Sequence, residues 1–413
     1  MTDAAGPTIS VVVVSRDRPD SLSLTLRGLS RLFHDTYEII VVGDAAALDA
    51  VRRLGLTDRI KTVAFADPNI SEARNLGIAV AAGEIVAFID DDAVPEPTWL
   101  RYLTAPFAED DVSAVGGFVR GRNGISFQWK AHSIDRAGRS WPLDLGDTSA
   151  VILSPPPHRA IKTEGTNMAF RRADLERLGG FDSAYRFYLD EADLNMRLAR
   201  AGLRTAIAPL AQVHHAFAPS SRRLANRAPR DLFEIGASLA VFLRRHCPTE
   251  DHAAALETFT EDQDRSLLTH MVAGRLEPRE VTMLRNRLAQ GIAAGRSRPL
   301  GPLPSLPHSR DPYLPFRSEA TGPSTTLAGR PWHAERLRDQ AAAAAKAGQT
   351  VSLFLMSPTT LFHDVKFRGG YWEQRGGTLG RSDRTDPLIR LTGFRRRLRR
   401  EIGRVALLRG LNQ

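Results

Sequence analysis

Hydrophobic and polar positions alternate between two rhythms over the first 90 residues. The β-branched run ISVVVVS (9–15) is followed by DSLSLTLRGLSRL (20–32), whose leucines recur at helical spacing. A second apolar run, YEIIVVG (37–43), precedes a short helical stretch from Ala45 to Leu54, and IKTVAF (60–65) reads as a third strand. SEARNLGIAVAAG (71–83) predicts a helix capped by Ser71 and stopped at Gly83, and EIVAFI (84–89) a fourth strand. These strands are apolar throughout rather than alternating, which predicts an α/β fold with a parallel sheet covered by helices on both faces. Ligands bind such sheets outside the carboxyl ends of the strands. Three of those ends are polar here: Ser15, Arg16 and Asp17, then Asp44, then Asp90, Asp91 and Asp92.

Farther along, VSAVGGFV (112–119) reads as a strand, and GTNMAFRRADLERLGGFD (165–182) as strand, helix and glycine stop. YLDEADLNMRLARAG (188–202) predicts a helix ending at Gly202, and RTAIAPLAQVHH (204–215) an extended segment. Helices are expected at 231–246 and 278–294, and the six prolines from Pro299 to Pro315 mark a linker or strap. A helix near 333–347, the strand TVSLFLM (350–356) and a glycine- and aromatic-rich stretch make a small terminal α/β unit. The expected organisation is a nucleotide-binding sheet domain over 8–225, a helical extension over 226–298, a Pro-rich linker over 299–330 and the small unit over 331–413.

Three adjacent aspartates after a buried strand raise one another's pKa unless a cation or good donors sit among them. A metal site and a solvated acidic turn are the two readings, and the polar ends of the neighbouring strands favour the first. Lys and Arg (56) exceed Asp and Glu (47), giving a net charge of +9, which suits an anionic partner. The single cysteine, Cys247, excludes an internal disulfide framework and a Cys-based zinc site, and predicts a cytoplasmic location. No leader pattern opens the sequence, and no apolar run approaches the roughly 20 residues of a membrane span. A soluble protein, or one peripheral at the inner face of the membrane, is therefore expected. The loop SRDRPD lacks the glycines of a dinucleotide fingerprint, and neither a P-loop nor an H-E-x-x-H sequence occurs. The tail LTGFRRRLRREIGRVALLRG lines up Leu391, Phe394, Leu398, Ile402 and Val405 among arginines. That pattern fits a helix on an anionic membrane surface, and equally a helix docked on the protein; nucleic acid ranks well behind both.

Six segments, in order, carry a resemblance: VVVVSRDRPDSLSLTLRGL, YEIIVVGD, SEARNLGIAVAAGEIVAFIDDDAVPEPTWL, GTNMAFRRADLERLGGFD, YLDEADLNMRLARAG and VHH. Over roughly residues 8–216 the chain resembles the inverting family 2 glycosyltransferases, which have a GT-A-type fold. The resemblance implies transfer of a sugar from a nucleoside-diphosphate sugar to an acceptor hydroxyl (glycan, lipid-linked or other). A Mg2+ or Mn2+ ion would neutralise the departing diphosphate. It implies metal contacts from Asp90, Asp92 and His214, with His215 as the alternative. It places Ser15, Arg16, Asp17, Asp44, Arg74, Asp90 and Asp91 around the nucleotide-sugar. The family's base motif, ED-x-D-L, is reversed here to Asp190-Glu191-Ala192-Asp193-Leu194. Alignment on Asp193-Leu194 makes Glu191 the base, with Asp190 and Asp193 as competitors; Asp193 serves equally well as a helix-start charge. The family's DDGS after strand two is GDAA here, so the base of the nucleotide stays open. Trp99 and Trp129 either stack on sugars or fill the core. Two rival readings are a nucleotidyl- or pyrophosphate-handling transferase on the same fold, and a basic membrane- or nucleic-acid-binding protein on a degenerate transferase scaffold.

Overall fold

The computed structural model describes residues 6–216, 222, 224 and 226–411. The chain opens with β1 (Ile9–Ser15), α1 (Pro19–Leu29), β2 (Thr36–Gly43), α2 (Ala45–Arg53), β3 (Lys61–Ala64), α3 (Ile70–Val80) and β4 (Ile85–Asp90). There follow β5 (Ala93–Pro95), α4 (Trp99–Thr104), β6 (Val112–Arg120) and β7 (Phe127–Trp129). Next come β8 (His132–Asp135), β9 (Ser140–Pro142), β10 (Val151–Leu153), β11 (Arg159–Lys162), β12 (Asn167–Arg171), α5 (Arg172–Arg177), α6 (Asp190–Arg200) and β13 (Arg204–His215). The principal sheet runs β10-β13-β6-β12-β4-β1-β2-β14, where β14 is Phe316–Arg317; β3, β5 and β7 pair with β2, β13 and β6.

An α/β fold with helices on a central sheet is what the pattern predicted, but the sheet is mixed. Strands β1, β2, β3 and β4 are parallel, while β12 runs antiparallel between β4 and β6. Burial on both faces makes a strand apolar whichever way it runs, so hydrophobicity does not report direction. One core lies under α1, α2 and α4, around Val11, Val13, Leu26, Ile39 and Trp99. The other lies under α3, α5 and α6, around Val12, Phe88, Phe170, Phe181 and Leu194. Strand alternation divides Val11 and Val13 from Val12. The cap of α3 is Asn69, which accepts from the Glu72 amide at 3.2 Å. Ser71, expected there, is the second residue of the helix and instead donates to the Tyr185 carbonyl at 2.7 Å.

The helical extension consists of α7 (Phe233–His246), α8 (His252–Val272) and α9 (Pro278–Ser297). The pattern did not disclose α8, whose buried residues are only Leu256 and Leu267, three turns apart. The expected boundary at 225–226 touches residue 225, which lies outside the described residues. The proline-rich strap runs along the principal domain: the Leu306 amide donates to Glu176 O at 2.8 Å and the Leu314 amide to Glu38 Oε1 at 3.0 Å.

The terminal unit begins with β15 (Ser324–Gly329), inside the segment expected to be linker. It continues through α10 (Ala334–Lys346), β16 (Thr350–Ser357), β17 (Asp364–Phe367), β18 (Trp372–Gly377) and α11 (Phe394–Arg409), its sheet ordered β15-β16-β18-β17. Helix α11 is docked on the terminal sheet, as the second reading of the tail had it. Val405 and Ala406 pack with Phe354 and Met356 of β16, and Phe394, Leu398 and Ile402 lie against the same cluster. Part of the apolar face is thus covered by protein, while Leu391 stays exposed. Among the described residues no helix is long and apolar enough to cross a membrane.

Candidate active site

The aspartates leave the carboxyl end of β4 and turn directly into β5, which pairs antiparallel with the last residues of β13, His215 opposite Ala93 and His214 opposite Val94. The Ala216 amide closes the pair on the Asp92 carbonyl at 2.9 Å. Asp90, Asp92 and His215 each present a ligand atom, all within 4.8 Å of one another. His215 Nε2 stands 3.2 Å from Asp92 Oδ1. Its Nδ1 lies 3.1 Å from Gln128 Oε1, an acceptor that places the proton on Nδ1 and leaves the Nε2 lone pair for a cation. Carboxylate oxygens with one imidazole nitrogen fit magnesium or manganese.

Side-chain alternation sends Asp91 the other way. It is fully buried, accepts from Ser15 Oγ at 2.7 Å and pairs with Arg18 Nη2 at 2.7 Å. Arg18 also reaches Asp92 Oδ2 at 3.2 Å. Burial pushes the Asp91 carboxyl up to about 7, against the pull of Arg18 and with a further push from Asp92. Asp90 accepts from the Thr166 hydroxyl and has Arg74 at 3.8 Å. Three like charges are tolerated because guanidinium groups and hydroxyl donors stand among them.

Arg74 is the tie to the second acidic group. Nearly inaccessible at 4% exposure, it pairs with Asp190 and donates to the Gly165 carbonyl at 3.1 Å. Its guanidinium lies over the Phe181 ring at 5.2 Å. Asp190 opens α6 after two consecutive left-handed residues, Tyr188 (φ 71°) and Leu189 (φ 65°). Such backbone is costly outside glycine and persists where packing imposes it; the Leu189 side chain sits in the cluster shared with α7, and Tyr188 packs against it. Asp193 faces inward, bonded by Arg197 Nε at 2.8 Å, His246 Nε2 at 2.8 Å and Tyr185 OH at 3.3 Å. Burial opposes its ionisation, yet Arg197 and His246 hold it below the ordinary range. Glu191 differs from both. It is half-buried and accepts no hydrogen bond among the described residues. Burial, then the neighbouring Asp190, push its carboxyl up to about 8, with Lys162 pulling the other way.

Residues 10–179 match the model of the family described as glycosyl transferase family 2. The chain carries a family 2 glycosyltransferase domain. A pre-mycofactocin glycosyltransferase of Mycobacterium tuberculosis is 31% identical over 148 residues, 35% of this chain and 29% of that protein. A probable glycosyltransferase of Bacillus subtilis, YdaM, is 27% identical over 229 residues, 50% of each chain. This chain therefore spans half or less of the length of these curated relatives. The solved structure of the mannosyltransferase PcManGT from Pyrobaculum calidifontis, in complex with GDP-Man and Mn2+, is 17% identical and covers 71% of this chain and 88% of its own, with a TM-score of 0.43.

Several expectations for the family 2 domain change once geometry is known. His214 is not at the aspartates: its Nε2 meets Glu96 Oε1 at 2.7 Å and its ring lies 4.4 Å from that of Trp372. Adjacent strand residues face opposite ways, and His215 takes the open side. Ser15 and Asp91 support one another beneath the site instead of lining it. Asp44 caps α2 through the Ala47 amide at 2.9 Å and accepts from the Asp17 amide at 2.8 Å, so it organises the first loop. Asp17 (φ 59°) is exposed and Arg16 half-buried on that loop, their side chains 3.2 Å apart. Asp190 is paired with Arg74, and Asp193 with Arg197 and His246. Trp99 is buried, its Nε1 donating to Asn167 Oδ1 at 2.8 Å, whereas Trp129 lies 5.8 Å from the His215 ring. The pattern gave no role to Thr166, Gln128 or Glu96; they are single polar residues in loops or apolar runs, and only folding brings them to the site.

Proposed function

We propose that this chain transfers a sugar from a nucleoside-diphosphate sugar to an acceptor hydroxyl with inversion at the anomeric carbon, in assembly of a polysaccharide, lipid-linked or other glycoconjugate. The observation that carries the reading is the convergence of Asp90, Asp92 and His215, joined through Arg74 to the helix on whose first turn Glu191, alone of three carboxylates, makes no ion pair among the described residues. Asp90, Asp92 and His215 would hold magnesium or manganese, which when bound would supply positive charge against the leaving diphosphate. Arg18 keeps Asp91 and Asp92 in place. Glu191 takes the proton of the acceptor hydroxyl as its oxygen attacks from the face opposite the diphosphate, which inverts the configuration. Its raised proton affinity makes it a stronger base than an ordinary carboxylate. Arg16 and Asp17, on the loop after β1, are the groups offered to the nucleotide.

The test is a screen of UDP-, GDP- and dTDP-sugars for hydrolysis and transfer, each with manganese and with excess chelator. Turnover of one donor only with the metal is expected. Turnover of none at saturating manganese overturns the reading, and equal turnover in chelator overturns the metal assignment.

A further inference from the structure

Behind the metal-facing histidine lies a buried charge relay that belongs to the other end of the chain. His214 turns inward from β13 onto Glu96, which is fully buried. Glu96 in turn is gripped by Arg409, the last residue of α11, through Nε and Nη2 at 2.8 Å each. Arg409 is itself 1% exposed, donates to Ser352 Oγ at 3.2 Å and lies over the Trp372 ring at 4.5 Å. Trp372 therefore packs against both His214 and Arg409. Thr98 adds a bond to the Leu408 carbonyl at 2.9 Å. Ser352, Trp372, Leu408 and Arg409 all come from the terminal unit.

The chemistry of this junction is asymmetric. A bidentate guanidinium–carboxylate pair is well satisfied when buried, but either partner alone is an uncompensated charge. Glu96 follows β5, which pairs with His214 and His215, and its own amide bonds Gln212 O on β13 at 3.0 Å. Anything that releases Glu96 therefore frees the β5–β13 corner from which Asp92 and His215 project. The rotation of β13 that turns His214 in is the same rotation that turns His215 out.

We propose that Arg409 is a positioning residue for the metal site: through Glu96 and His214 it sets the orientation of β13 that aims His215 at Asp92, so the terminal unit completes the site from behind. This rests on the assignment of Asp90, Asp92 and His215 as the cation ligands. Groups that orient a metal ligand through a second contact alter metal affinity about 10–100-fold when removed.

The experiment uses the full chain and two readouts. One is manganese affinity, from the electron paramagnetic resonance of free Mn2+. The other, made without metal, is the 15N shifts of the His215 imidazole, which report its contacts with Asp92 and Gln128. Arg409→Ala is expected to weaken manganese about 10–100-fold and to move the His215 shifts, with Arg409→Lys intermediate because it keeps the charge but loses one bond. Glu96→Gln, which retains an acceptor for His214, serves if Arg409→Ala does not fold. Leu353→Ala, in the core of the terminal sheet, is the control for lost stability and is expected to leave both readouts near wild type wherever it remains folded. Unchanged shifts and affinity in the folded Arg409 variants, or an equal loss in Leu353→Ala, overturn the proposal. If the wild-type protein binds no manganese, the metal assignment fails, while the His215 shifts still decide whether Arg409 orients the imidazole.

Discussion

At the end of β4, three carboxylates share the Arg18 guanidinium and the edge of Arg74, and two of them open onto a histidine. At the start of α6, Asp190 has Arg74 and Asp193 has Arg197 and His246, while Glu191 makes no ion pair among the described residues and feels only the more distant pull of Lys162. The first cluster keeps spare negative charge for a cation. The second spends its charge on fixing a helix and keeps one carboxyl protonatable. Acidic residues that look alike in sequence are separated by which of them the fold has already neutralised.

The sharpest way to break this contrast is Glu191→Gln, which preserves shape and removes the base. Transfer should fall roughly 10²–10⁴-fold while nucleotide affinity stays near wild type, read as kcat for transfer beside a nucleotide titration. Wild-type transfer would hand the base to another residue. Next comes Asp92→Asn, which weakens the cation site. Turnover at fixed manganese should fall roughly 10²–10³-fold, the usual effect of losing one key electrostatic group, with partial recovery as manganese is raised.

Asp193→Asn should act on stability instead. Removing one partner of a buried ion pair costs about 3 kcal/mol or more, read from denaturant unfolding, and the folded fraction should keep its transfer rate. A dead but stable Asp193→Asn enzyme would invert the roles assigned within α6.

The smallest effect is in pH. Glu191 must be ionised to act, and its carboxyl lies near 8, so kcat/KM should rise with pH up to that value and lose about tenfold per unit below it. The limb should vanish in Glu191→Gln. Stability carries the opposite sign. A carboxyl raised from 4.5 to about 8 binds its proton more tightly in the folded chain. Its stabilising contribution is complete below 4.5 and is lost as pH climbs through 8. Glu191→Gln should therefore gain in melting temperature relative to wild type at pH 9 compared with pH 4; a constant difference would mean that the carboxyl titrates normally.

Much of this was legible in residue order. Apolar runs with helical stretches between them specify β1, β2 and β4 and α1 to α3, since burial on both faces of those strands leaves little choice of residue. Asp90 to Asp92 at a strand end, and three carboxylates in one helical turn, are local patterns that announce chemistry without a fold. The docking of α11 was not legible, because an apolar stripe among arginines reads the same against a sheet as against a bilayer. Nor was the choice of His215 over His214, which adjacent positions leave symmetric until Glu96, Arg409 and Trp372 claim one face of β13. The sequence by itself determined which residues could bear charge, bind a cation or take a proton. Tertiary structure alone decided which of them stay available, because an ion pair between residues 74 and 190, or 96 and 409, forms only when segments far apart in the chain are buried together.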